Sequence, residues 1–431
     1  MTTLLWLRHD LRLADQPALD WALRRGGAVV PVFIDEPVGP WAPGAATRAF
    51  LHDSLGALDD ELRGLGSRLV LRRGEAATVL RALAAETGAE ALAFNQRMEP
   101  AGRRTDAGVV SALSDLLHVQ QCNGALLLEP RSIATGSGGP YKVFTPFWRA
   151  VHAALNAAPP SALPAPAQLP APARWPDCLP LAALDLLPKI RWHEGVRAHW
   201  PASAAAAQAR LESFLDDGIE HYASTRDFPA QEGVSRLSPY LHLGQLSPRQ
   251  VWTAVHARAA ASGRLAPSER ELAWLRQLAW REFAHHLLCH FPHTADAPLR
   301  PEFERLPWVN DAAGYRRWCR GETGYPIVDA GMRELWATGF MHNRVRMVVA
   351  SFLTKDLGVH WLRGAEWFWD TLVDANLANN TLGWQWTAGC GADAAPYFRI
   401  FNPVSQSAKF DGAGAYLRRW VPELAALPDA D

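Results

Sequence analysis

The sequence predicts a two-domain protein, an α/β unit with a Rossmann-like parallel sheet followed by an all-α unit. Three observations carry this. The chain has 431 residues, more than one hydrophobic core usually serves. Short apolar runs alternate with helical periodicities over the first 128 residues, the pattern of a parallel sheet with crossover helices. From Ala202 the pattern turns helical and stays so. The boundaries expected are 1–128 for the α/β unit, 129–200 for a linker and 201–431 for the helical unit.

In order, Leu4–Leu7 is a short apolar run followed by the charged turn Arg8-His9-Asp10. Asp15 with Pro17 starts a helix. Ala28–Ile34 reads as a buried strand, and Thr47–Leu65 as a helix from Phe50, Leu51, Leu55, Leu58 and Leu62. Leu69–Leu71 (strand), Ala76–Glu86 (helix), Ala91–Phe94 (strand), Arg103–Leu117 (helix) and Leu126–Leu128 (last strand) complete the unit. No GxGxxG follows the first strand, which removes support for a dinucleotide site there. Phe144–Leu155 reads as a helix. The Pro- and Ala-rich Ala157–Pro180 reads as a plain extended spacer over the surface. Ala204–Leu215, Pro248–Ala261, Glu269–Cys289, Ile327–Ala337, Asn343–Leu357 and Ala365–Leu377 read as helices.

Bulk properties narrow the function. The formal net charge is −1, so nucleic-acid binding requires a local basic patch rather than a global field. Five widely spaced cysteines without a CxxC pair suggest neither a disulfide framework nor a zinc site, and fit a reducing cytosol. The N-terminus has charges too early for a signal peptide, and no apolar run is long enough to span a bilayer. Nineteen tryptophans, eleven from Trp274 onward, point to stacking or redox use, with a Trp-rich core as the alternative.

The chemistry concentrates in NLANNTLGWQWTAGCGADAAPYFRIFNPVSQSAKFD, residues 376–411. On a helix, Trp384 and Trp386 point about 200° apart, so they serve different surroundings. Further candidates are Tyr222 with Gly233-Val234-Ser235-Arg236-Leu237-Ser238-Pro239. There a glycine followed by hydroxyls and free amide N–H groups suits a phosphate, and a simple helix cap is the alternative. Trp274, Gln277 and Arg281 share one helical face at i, i+3, i+7. Asn343, Arg346 and Met347 share another at i, i+3, i+4.

GWQWTAGCGADAAPYFRIFNP resembles the flavin-proximal signature of the DNA photolyase/cryptochrome family, and the resemblance covers nearly the whole chain. FMHNRVRM is similar to the element of members that act on cyclobutane pyrimidine dimers, placing the chain nearest the bacterial class I members. The resemblance implies FAD held by Tyr222, Val234, Ser235, Arg236, Leu237, Ser238, Trp274, Arg281, Arg346, Asp374, Ala375, Asn376 and Asn380. It implies an electron chain of Trp384, Trp361 and Trp308. It implies lesion contacts from Gln277, Asn343 and Met347, and damaged DNA bound by Arg226, Arg344, Arg399, Gln406 and Lys409, with Trp280 and Trp386 as apolar walls for an extruded dinucleotide. Gln277 stands where dimer-repairing members commonly carry Glu, Val234 where Thr is usual, and Asn376 where many have Asp. In NQRMEPAGR, Gly102 and Met98 replace a glutamate and an aromatic of the folate-binding members. Folate is disfavoured as an antenna, leaving a deazaflavin, another flavin or an empty site. The implied activity is light-driven repair of dimers by a monomeric cytosolic enzyme. The rival is a photoreceptor with the same flavin photochemistry, and a nicotinamide flavoenzyme is disfavoured.

Overall fold

The computed structural model describes residues 1–36, 39, 41–394, 396 and 399–427. Five strands, β1 (Thr2–Leu7), β2 (Ala28–Asp35), β3 (Val70–Arg73), β4 (Ala91–Asn95) and β5 (His118–Cys122), form one parallel sheet in the order β3-β2-β1-β4-β5. β1 is central, with Trp6 in register with Val32 on one side and Phe94 on the other. Both faces are covered at the centre of the sheet, which is why β1, β2 and β4 are largely continuous apolar runs. Side chains alternate across the sheet. Leu4, Trp6, Val30 and Val32 pack under Leu80, Leu83 and Val109. Leu5, Leu7, Val29 and Phe33 join a larger core that runs on through Phe147, Tyr240, Trp252 and Trp274. The α/β unit therefore shares one of its two cores with the helical unit.

Backbone contacts tighten this junction. Leu11 N–H donates to the Leu243 carbonyl at 3.1 Å, and the Arg12 guanidinium donates to Gly244 O at 2.8 Å. Gly244 has φ +68°, and a Cβ there would sit 2.2 Å from His9 O, so only glycine allows the approach. Glu282, on the helix Glu269–His290, accepts the N–H groups of Leu127 and Leu128 at 3.0 and 3.4 Å.

Four sequence expectations need correction. The fifth strand is His118–Cys122, not Leu126–Leu128. An edge strand need not be apolar, and this one is largely solvated, whereas Leu126 and Leu127 are buried in a loop. Residues 158–180 are not a free spacer. Val29 N–H donates to Pro170 O and Leu179 N–H to Leu71 O, at 2.9 and 3.0 Å, while Leu169 is buried. The segment thus straps the β3 side of the sheet. The helix expected over Ala365–Leu377 is Trp361–Thr371, and a new helix, Leu377–Ala388, starts after Asn376 caps it by accepting the Asn379 N–H. The helix begun at Asn343 is α-helical only to Ser351 and continues as a π-turn over Phe352–Asp356. Among the described residues no helix is long and apolar enough to cross a membrane, and no cluster of metal-ligating side chains occurs.

Candidate functional site

The break between Trp361–Thr371 and Leu377–Ala388 places Asp374 at the centre of a polar ring. Its carboxylate accepts the Ser238 hydroxyl at 2.6 Å and the Arg346 guanidinium at 2.9 and 3.1 Å. Arg346 also donates to Met341 O at 2.7 Å. Ser238 and Arg346, far apart in sequence, thus converge on one carboxylate. The preceding loop wraps tightly. A Cβ at Gly233 would lie 2.7 Å from Thr225 O, and Arg236 is held at φ +52°, a strained setting for a residue with a Cβ. Arg236 pairs with Glu232 at 3.2 Å, yet its buried Nε has no partner among the described residues. Tyr222 and Trp274 are buried around Phe214, at ring distances of 6.1 and 4.9 Å. Leu237 and Ala375 are buried, while Val234, Ser235 and Asn380 are half-buried. Asn380 donates to Ala365 O at 2.9 Å.

Arg281, expected at the cofactor, makes its bonds towards the α/β unit. It donates to Ala125 O at 2.8 Å and lies 3.6 Å from Glu282, which commits it to the domain junction. Arg281 and Asn376 share a crevice with Arg8, His9, Asn95, and the buried imidazoles of His242 and His285. Burial holds both imidazoles neutral, well below their usual pKa. This crevice opens beside the carboxyl ends of β1 and β4, where the strand order reverses, the usual ligand position of an open α/β sheet. Here Arg8 fills it, stacked 3.7 Å over Trp6 and bonded to Asp106 at 3.1 Å. The cavity left is about 30 Å³, room for a water or two.

The tryptophans are graded in burial. Trp384 and Trp361 are buried in one core, Trp384 against Phe368 and Trp318 at 5.0 and 6.0 Å. Gly364 admits the Trp384 ring, since a Cβ there would approach it to 2.1 Å. Trp308 is half-buried. His360 lies between, its ring 4.9 Å from Trp308 and 5.6 Å from Trp361. Nothing in the sequence singled out His360, because ring contacts are set by the fold. Trp386 turns away to Phe401 at 6.1 Å, in keeping with the angle expected between it and Trp384.

A groove of about 390 Å³ brings together Arg344, Arg399, Gln406 and Lys409. Arg344 lies 4.4 Å over Phe410 and pairs with Asp227 at 2.7 Å. Arg344 N–H caps on His342 Nδ1, and burial pushes the His342 imidazole down to about 4, so it is neutral at pH 7. Asn343 is exposed and donates to Met347 Sδ at 4.0 Å, and Gln277 is exposed. Three expected contributors, Arg226, Trp280 and Trp386, do not line this groove. Arg226 lies 5.7 Å over Tyr222. Trp280 is stacked at 3.7 Å on Phe144, a partner missed in the sequence, and it packs with a different core from Trp386. Ala395, Tyr397 and Phe398 of the signature stretch fall outside the described residues.

Residues 3–170 match the family model described as DNA photolyase, and residues 274–431 the one described as the FAD binding domain of DNA photolyase. The deoxyribodipyrimidine photo-lyase of Agrobacterium fabrum is 45% identical, with 98% of this chain and 88% of the relative covered.

This chain belongs to the DNA photolyase family.

The photolyase of that name from Escherichia coli is 38% identical over 99% of this chain and 90% of its own. Cryptochrome-2 of Arabidopsis thaliana is 35% identical over 99% of this chain and 71% of its own. Among solved structures, a bacterial class III photolyase from Agrobacterium tumefaciens superposes with a TM-score of 0.94 at 45% identity, covering 99% of this chain and 88% of that one. Its class differs from the class I grouping expected from the sequence. An archaeal photolyase from Sulfolobus tokodaii, solved with two FAD molecules, gives 0.84 at 29% identity, covering 100% and 92%.

Proposed function

We propose that this protein is a deoxyribodipyrimidine photo-lyase that splits cyclobutane pyrimidine dimers in DNA under blue light, acting as a cytosolic monomer. Residues 1–128 serve as its antenna domain and 201–431 as its catalytic domain. The single observation that carries the reading is the convergence of Ser238 and Arg346 on Asp374, beside a tight loop whose Arg236 Nε has no partner among the described residues.

That arrangement fits FAD. The loop offers amide N–H groups and a guanidinium to a diphosphate. Asp374, fixed on two sides, presents an oriented carboxylate, and Asn380 and Asn376 add neutral amide contacts. When bound, FAD supplies the light-driven electron to the dimer and takes it back; the protein supplies position, desolvation and tuning. Trp384, Trp361 and Trp308 pass electrons inward from the surface. Arg344, Arg399, Gln406 and Lys409 hold phosphates flanking the lesion, with Arg226 as an outlying contributor. Asn343, Met347 and Gln277 meet the dimer, Gln277 through neutral hydrogen bonds only. Trp386 and Trp280 border it, Trp280 after leaving its stack on Phe144. Arg281 acts on the cofactor side through the junction crevice it shares with Asn376. Arg8 narrows the crevice at the sheet end of this junction.

The test is reversal of a thymine dimer in an oligonucleotide by the reduced protein, in blue light and in darkness. Reversal in light alone is expected. Flavin photoreduction without reversal favours the photoreceptor reading, for which the neutral Gln277 speaks.

A further inference from the structure

Where Trp308 meets solvent the surface is concave. Trp308, Tyr315, His360 and Arg363, with Val309 and Val359, line a groove of about 240 Å³. That is below the roughly 300–1,000 Å³ of pockets for drug-sized molecules, so it suits a single-ring compound and not a dinucleotide. Two aromatic faces and two valines make its walls. Its cation is held in place. Tyr315 donates its hydroxyl to the Arg363 carbonyl at 3.0 Å, and the Arg363 guanidinium sits 4.5 Å over the Tyr315 ring. The acidic groups nearby are engaged or remote. Asp311 accepts the Ala313 and Gly314 N–H groups at 3.1 and 2.8 Å. Glu366 lies 3.9 Å from Arg363 in an exposed pair, which competes weakly for the cation.

Trp308 itself adds a chemical reason for a partner. Its Nε1 is buried and has no acceptor among the described residues. The neighbouring His360 already accepts the Leu362 N–H through Nδ1 at 3.1 Å. No side chain of the described residues is placed to take the indole proton of an oxidised Trp308, so that proton passes to water in the groove. The missing electron must come back along the chain or enter from the groove.

We propose that this groove docks a small planar anionic one-electron donor, of the enediolate class, which refills Trp308. The proposal rests on Trp384, Trp361 and Trp308 forming the electron chain. In the step, the donor anion gives one electron to the Trp308 radical, and water returns the proton to the indole nitrogen. The indole returns to its neutral closed-shell form, and the donor becomes a radical that loses its hydroxyl proton to water. The indole N–H is the bond that re-forms in the protein.

Ascorbate is the probe. Flash photolysis of the FAD-loaded protein follows decay of the tryptophan radical as ascorbate is raised, and saturation-transfer NMR in the dark follows binding directly. The decay rate is expected to saturate. Arg363→Gln should raise the half-saturating concentration roughly two- to fivefold, the scale of an exposed charge contact, and Arg363→Glu should raise it further and abolish the dark NMR signal. Decay with the neutral donor dithiothreitol should be the same in all three proteins. A strictly linear ascorbate dependence, or equal responses of wild type and both variants, overturns the docking site. Trp308→Phe separates the two ideas. If it keeps full photoreduction, the chain itself is wrong; if photoreduction is lost while ascorbate dependence in the wild type is linear, only the docking site is.

Discussion

Arg344 enters the basic groove already paired. Asp227 holds it at 2.7 Å over Phe410, so a DNA phosphate has to compete with a resident carboxylate. This orders the guanidinium and at the same time lowers its attraction for any polyanion. Asp227→Asn is expected to tighten binding of undamaged DNA about two- to fivefold, and to steepen the fall of log K with log salt by about one unit. Fluorescence anisotropy across a salt series reads both, and unchanged slopes would refute the competition. Gly364 makes a second residue-scale case. A Cβ would meet the Trp384 ring at 2.1 Å, so Gly364→Ala should cost about 1–3 kcal/mol, lower the melting temperature and slow flavin photoreduction. At this scale the sequence was legible where a motif was intact, as at Arg346, Asp374 and Trp384. His360, Phe144 and Asp227 were not, since each acts through a partner that only the fold supplies.

Between elements, the decisive feature is the interruption at Leu372–Asn376. Helical periodicity continued through it, and the Asn376 cap that marks it was lost among three amide residues that suit either a cap or a helix surface. The last strand was misplaced for a related reason. Apolar runs identify strands buried on both faces, and His118–Cys122 is an edge. The true role of the Leu126–Leu128 stretch is to hang its amides on Glu282. Glu282→Ala should leave the Leu127 and Leu128 N–H groups buried and unpaired, at about 1–3 kcal/mol. Urea denaturation measures this, and a loss below about 0.5 kcal/mol would remove Glu282 as the link between the units.

For the whole molecule, a net charge of −1 says nothing of the basic groove, because the charges are segregated by folding. Buried imidazoles dominate the expected acid response. Burial pushes His286 and His342 down to about 4, and His242 and His285 well below 6.5. Between pH 6.5 and about 4 the unfolded chain takes up protons that the native imidazoles refuse, so stability falls as pH falls. Glu282 opposes this. Burial raises it to about 7, so it binds its proton in the native state first and adds stability that is lost as pH rises from 4.5 through 7. Four imidazoles outweigh it, and the melting temperature should drop from pH 6.5 to 5. Glu282→Gln should make that drop steeper; a flat profile would contradict the burial of these groups.

All of this turns on the helical unit holding FAD at the Ser238–Asp374–Arg346 ring. The direct measurement is flavin content, by absorbance near 450 nm after release from protein purified with FAD present. About one FAD per chain is expected, with Asp374→Ala losing most of it while keeping its helical circular dichroism. A colourless protein that takes up no FAD would contradict the account.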